Sequence, residues 1–174
     1  MDIGQSIDTL IEARWVVPVE PRGIVYENHA VAVDAGRIVA LMPIGEARAQ
    51  FVARETVTLD QSVLIPGLVN AHTHAGMTLM RGIADDLPLM RWLHEHIWPA
   101  EARHISPDFV YDGTLAAAAE MLRGGITCAN DMYFFPESAA RAFLDAGMRA
   151  ALGIIAFEHP SAYGSGPDDY LAKG

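Results

Sequence analysis

The chain has 174 residues, 51% of them hydrophobic, with 12 Lys plus Arg against 22 Asp plus Glu for a formal charge of −10. That is enough apolar material for a cored globular protein, and its sign excludes nucleic acid and anionic membrane surfaces as partners. One cysteine, Cys128, excludes an internal disulfide, the opening MDIGQSIDTLIEARW lacks the basic and apolar regions of a secretory signal, and charged residues or prolines interrupt every apolar run, so a cytoplasmic protein is expected.

From Ile7 to Val63 the apolar residues fall in short alternating or β-branched runs, which predicts strands. Within AVAVDAGRIVALM, Asp34-Ala35-Gly36 has turn chemistry, so a hairpin is expected there, opened by a surface His29. A short helix is expected over Gly45 to Arg54. After Pro66-Gly67 strands alternate with helical stretches, the signature of βαβ units and an α/β fold. LVNAHTH reads as the first of these strands. A long connection follows, helical around Leu89 to Ile97, and then a helix with Ser106 as N-cap, Pro107 in its first turn and Gly124 as its stop. ITCANDMYF is a second strand, PESAARAFLDAG a helix ended by Gly147, and MRAALGIIAF a third strand. The tail EHPSAYGSGPDDYLAKG reads as a polar loop that begins a further segment. Three such units cannot close a barrel, which takes eight strands.

The residues that draw attention are His72 and His74. On a strand, residues i and i+2 share a face about 6–7 Å apart, so both imidazoles can reach one divalent ion at about 2.0–2.1 Å while Thr73 turns away. Two strand-end histidines bonded to water or backbone would have the same spacing. The pair's location, where a buried strand gives way to a loop, favours the metal, because parallel α/β folds gather their chemistry at the carboxyl ends of strands. Imidazole alone suits Zn, Fe, Ni or Co.

The stretch VLIPGLVNAHTHAGMTLMRGIADDLPLMRWLHEHIWPAE, Val63 to Glu101, together with ITCANDMYF, resembles the amidohydrolase superfamily. Within it the similarity is to the branch of 5-methylthioadenosine and S-adenosylhomocysteine deaminases, with triazine hydrolases and guanine deaminases as relatives. The resemblance implies an N-terminal portion of a longer chain. Residues 1–64 would form part of a composite β-sandwich, and residues 65–174 the first three β/α units of a metal-dependent (β/α)₈ TIM-type barrel. It implies hydrolytic deamination of an adenine nucleoside such as 5-methylthioadenosine, or S-adenosylhomocysteine, by metal-activated water. His72 and His74 would be two ligands of the metal, usually zinc. The remaining ligands and the glutamate that shuttles protons belong to later strands, so no catalytic residue is expected within this chain and the isolated chain is expected to be inactive. The family tends to form homo-oligomers.

The same resemblance gives Glu101 the role of accepting hydrogen bonds from ribose hydroxyls; by itself it reads as a helix-end surface carboxylate. Trp92 either lines the substrate pocket or belongs to a packing stripe with Leu89, Leu93 and Ile97. His94 and His96, about 200° apart around a helix, cannot share a metal. His104 and His159 carry no motif, and Met77 and Met80 read as core filler. Asp131 is either a loop cap or a group supporting the site, Cys128 an inert buried thiol, and Arg81 with Asp85 and Asp86 a brace for the first loop. Arginines that hold the amino-acid carboxylate in relatives accepting S-adenosylhomocysteine have no counterpart in LGIIAFEHPSAYG, which favours methylthioadenosine-like purines. Rival readings are a triazine, guanine or other cyclic-amidine hydrolase and, from another class, a short non-catalytic metal-binding or interaction module.

Overall fold

The computed structural model describes residues 4–174, which divide into two compact units, one up to Pro66 and the other Gly67–Gly174. In the first, strands β1 (Gln5–Val16), β2 (Tyr26–Asp34), β3 (Arg37–Pro43) and β4 (Phe51–Leu64) form one sheet in the order β3-β2-β1-β4. The β1/β2 and β2/β3 pairs are antiparallel, and β1/β4 is parallel. Helix α1 (Ile44–Gln50) makes the crossover from β3, and its Ala47 joins Ile7, Leu10, Ala30, Ala32 and Phe51 in an apolar cluster. The expected hairpin is present. Its turn residues Ala35 and Gly36 both take positive φ, 47° and 72°, the requirement of a two-residue turn whose twist matches the strands. An alanine is strained there, and the Asp8 carboxylate holds it by accepting from the Ala35 N–H at 2.9 Å. The helix expected to Arg54 stops at Gln50, because Phe51 is buried and extended and begins the pairing of β4 with β1.

Glu12 on β1 is 2% exposed and accepts two bonds from Arg48 of α1, both 2.7 Å. The Arg48 hydrogen bond holds the Glu12 carboxyl below its ordinary value of 4.5, against the opposing effect of burial. A depressed carboxylate adds stability that is whole above the ordinary value and fades as pH falls through the folded one. Glu12→Gln is therefore expected to lower Tm at pH 7, with the gap to wild type closing as thermal melts are moved below pH 4.5; a gap that persists in acid would mean packing, not charge, makes the contact.

In the second unit β5 (Leu68–Thr73), β6 (Ile126–Met132) and β7 (Arg149–Gly153) pair in parallel in that order. After β5 come a 3₁₀ turn (Ala75–Met80), α2 (Leu89–Trp92), a five-residue π turn (Leu93–Ile97) and α3 (Trp98–His104). The wide turn has a cause in Pro99, which has no N–H to continue the regular ladder. Helix α4 (Pro107–Arg123) begins as expected, with the Ser106 hydroxyl accepting from the Phe109 N–H at 3.1 Å, and α5 (Pro136–Asp145) follows β6. Gly147 stops α5 at φ 69°, while Met148 N–H bonds back to the Phe143 carbonyl.

Ala129 and Asp131 of β6 are buried on the face where Ala117, Ala118, Met121 and Phe143 pack. Cys128, Asn130 and Met132 point the other way, Asn130 and Met132 exposed and Cys128 partly buried, so the thiol expected to be buried is only partly so. The tail, expected as a polar loop, ends in α6 (Pro167–Lys173) instead, since Tyr163 and Tyr170 bury their rings among Phe134, Ile155 and Met80. No helix among the described residues is long and apolar enough to cross a membrane.

Candidate active site

Parallel pairing brings the carboxyl ends of β5 and β6 side by side, with Thr73 opposite Asp131. Beyond Thr73 the backbone leaves the strand at His74 (φ −126°, ψ 72°) and turns into the 3₁₀ segment. Asp131, 1% exposed, fixes that departure by accepting from the Ala75 N–H at 2.7 Å. Burial pushes its carboxyl up, while the Ala75 bond and the nearby His74 imidazole act in the opposite sense. His74 Nδ1 lies 2.6 Å from the Met132 carbonyl oxygen, which can only accept, so Nδ1 carries the proton and Nε2 keeps its lone pair. That Nε2 is 3.3 Å from Nε2 of His72, with the two rings 80° apart. Two nitrogens at about 2.0–2.1 Å from one tetrahedral zinc ion stand about 3.3–3.4 Å apart. The pair thus fits a shared divalent ion, with a backbone acceptor behind His74 of the kind that orients metal-ligating imidazoles. Among the described residues no third His, Cys, Asp or Glu joins the pair to complete a ligand set.

Glu101 of α3 stands close enough to feel His74. Burial raises its carboxyl above the ordinary range, against a hydrogen bond from Tyr133 and the His74 imidazole, which lower it. The Tyr133 hydroxyl donates to Glu101 Oε1 at 2.7 Å, and the Tyr133 ring lies 6.3 Å from that of His74. Glu101 also lines a cavity of about 460 Å³, whose other walls include Trp98, Ile105, Phe134, Phe157 and His159. Neither Lys nor Arg contributes to that lining. Trp92 is not among the lining residues; its indole N–H donates to the Ile83 carbonyl at 2.8 Å and ties α2 to the first loop.

Residues 63–170 match the amidohydrolase family. The chain belongs to that family. It is 48% identical over 167 residues to a 5-methylthioadenosine/S-adenosylhomocysteine deaminase of Saccharophagus degradans, an alignment covering 96% of this chain and 37% of that protein. A zinc-bound adenosine deaminase from Xanthomonas campestris superposes with a TM-score of 0.93 at 52% identity, over 98% of this chain and 39% of its own. A zinc complex of atrazine chlorohydrolase from Arthrobacter aurescens gives a TM-score of 0.79 at 22% identity, over 95% and 41%, a likeness of fold alone. The chain therefore spans about two-fifths of the length of these relatives.

Other residues of this chain have clear places. Arg81 pairs with Glu120 of α4 at 2.6 Å and not with the neighbouring Asp85 or Asp86, so the brace runs from loop to helix. His94 packs edge-on against Trp98, 4.2 Å between centroids. Met80 is buried and Met77 partly so, both in the core. Sequence reasoning passed over Tyr133, Trp98 and Phe157, and found no motif at His159. For Tyr133 a signal existed: it follows the carboxyl end of β6, the strand beside the histidine pair. His159, stacked on Phe157 at 5.0 Å and 9°, had none, because its loop carries no periodic pattern.

Proposed function

We propose that this chain is the N-terminal portion of a zinc-dependent, cytoplasmic aminohydrolase that deaminates an adenine nucleoside such as 5-methylthioadenosine. Residues 1–64 contribute to a β-sandwich completed by later chain, and residues 65–174 are the first three units of a (β/α)₈ barrel. The observation that carries the reading is the 3.3 Å separation of the two imidazole nitrogens, a spacing suited to a shared ion. The uncovered face of the parallel sheet supports the barrel, because parallel sheets are covered on both faces in finished folds.

His72 and His74 hold the ion, the latter with its tautomer set by the Met132 carbonyl. When bound, the ion supplies Lewis acidity and lowers the pKa of a coordinated water toward neutrality. Glu101 accepts from the ribose hydroxyls, and the aromatic cavity beside it takes the remainder of the nucleoside out of water. The part of the cavity wall that the described residues supply carries no Lys or Arg, which favours an apolar 5′ substituent such as methylthio over the charged homocysteine of S-adenosylhomocysteine. Proton transfer to the departing ammonia falls to residues outside this chain, so the isolated chain is inactive. A triazine or guanine hydrolase shares the same metal strand and is separated from this reading by its pocket.

The test is a steady-state comparison on the whole protein with 5-methylthioadenosine, S-adenosylhomocysteine, guanine and a chlorotriazine. The expected order puts methylthioadenosine first in kcat/KM, with S-adenosylhomocysteine about tenfold or more behind. A preference for guanine or the triazine would transfer the protein to a rival activity, and deamination by the isolated chain would overturn the division of labour.

A further inference from the structure

We propose that Tyr133 is a positioning residue that presets the Glu101 carboxylate for the vicinal hydroxyls of a ribose ring; this rests on the reading of Glu101 as the sugar's acceptor. The phenol is 4% exposed and its one proton goes to Glu101 Oε1 at 2.7 Å. The bond occupies one lone pair of one carboxylate oxygen. Oε2 and the second lone pair of Oε1 are left as acceptors, and a cis diol offers the two donors that match them.

The ring itself is held on several sides. A Cβ on Gly76 would come within 2.9 Å of Tyr133 Cδ1, so only glycine lets the turn after His74 lie against the phenol, and Phe134 packs at 5.1 Å between centroids. Three consecutive residues of one strand end thus reach three partners. Asp131 fixes Ala75, the Met132 carbonyl fixes His74, and Tyr133 fixes Glu101. A single tripeptide bonds both to one histidine of the pair and to the sugar-binding carboxylate. Without the phenol's bond Glu101 regains side-chain freedom that substrate binding has to remove, a cost felt in binding and not in the chemical step.

The experiment uses the whole protein and its Tyr133→Phe and Glu101→Gln variants, with adenosine and 2′,3′-dideoxyadenosine as substrates. Tyr133→Phe is expected to raise KM for adenosine about tenfold with kcat within about twofold, to leave KM for the dideoxy compound nearly unchanged, and to keep zinc content and Tm. A merely structural tyrosine would move KM for both substrates equally, and that result overturns the proposal. Should Tyr133→Phe fold poorly, 3-fluorotyrosine placed at position 133 serves, since it keeps the ring and alters only the strength of the hydroxyl's bond to Glu101; a KM change confined to adenosine supports positioning, and an equal change or none for the two substrates overturns it. If Glu101→Gln leaves the adenosine-to-dideoxy ratio untouched, the sugar-binding reading of Glu101 fails and the proposal falls with it. If Glu101→Gln collapses the ratio while Tyr133→Phe does not, only the role of Tyr133 is lost.

Discussion

His74→Ala in the whole protein is expected to abolish zinc binding and with it deamination, with Tm reduced by the loss of the metal's contribution and of the bond to the Met132 carbonyl. Outer contacts to metal ligands are worth about 10–100-fold in affinity or activity, and removing the ligand itself exceeds that range. The effect should surpass that of His72→Ala, because His74 alone is tied to the second strand, through its bond to the Met132 carbonyl. Losing its side chain removes a ligand and leaves that carbonyl without its donor. Metal analysis of the purified variants, alongside rates with 5-methylthioadenosine, decides the matter. Retention of stoichiometric zinc and a near-normal rate in His74→Ala would remove the basis for the metal site.

The parts of this chain legible beforehand are those in which a local rule acts alone. Alternation gave the strands, Ser106 and Gly124 the ends of α4, and the i, i+2 rule the convergence of His72 and His74. Errors arose where a distant partner decides. Arg81 had nearby carboxylates in sequence and took Glu120, 39 residues away, which helix packing presents to it. The tail is polar in composition, yet two tyrosines are enough to dock it. Cys128 lies in an apolar strand, and its exposure depends on which face the helices cover, a choice that a period of two leaves undetermined. The site divides the same way. The histidine pair is a local pattern, whereas the Tyr133–Glu101 bond spans 32 residues and two elements with no shared periodicity.

Gly113→Ala is the substitution away from the ligands with the largest expected effect. Alanine is the better helix former by about 1 kcal/mol, so at an open helical position it should stabilise. Gly113 is not open. It sits where α4 meets the turn after His74, and a Cβ there would fall inside the contact distance of the Gly76 carbonyl oxygen and 3.0 Å from its carbon. Both atoms are backbone and cannot rotate aside, so either α4 or the turn has to move. Overpacking of this kind costs about 1–3 kcal/mol and outweighs the gain in propensity. Gly76 in turn lies against the Tyr133 ring, so the displacement reaches Ala75, His74 and the Glu101 partner together. Gly113→Ala should therefore lower Tm by several degrees and weaken zinc binding about tenfold. Gly45→Ala in α1, where an added Cβ meets nothing within 4 Å, should be neutral or slightly stabilising. If the two variants melt alike, the close approach of α4 to the metal-site turn is not what holds that turn in place.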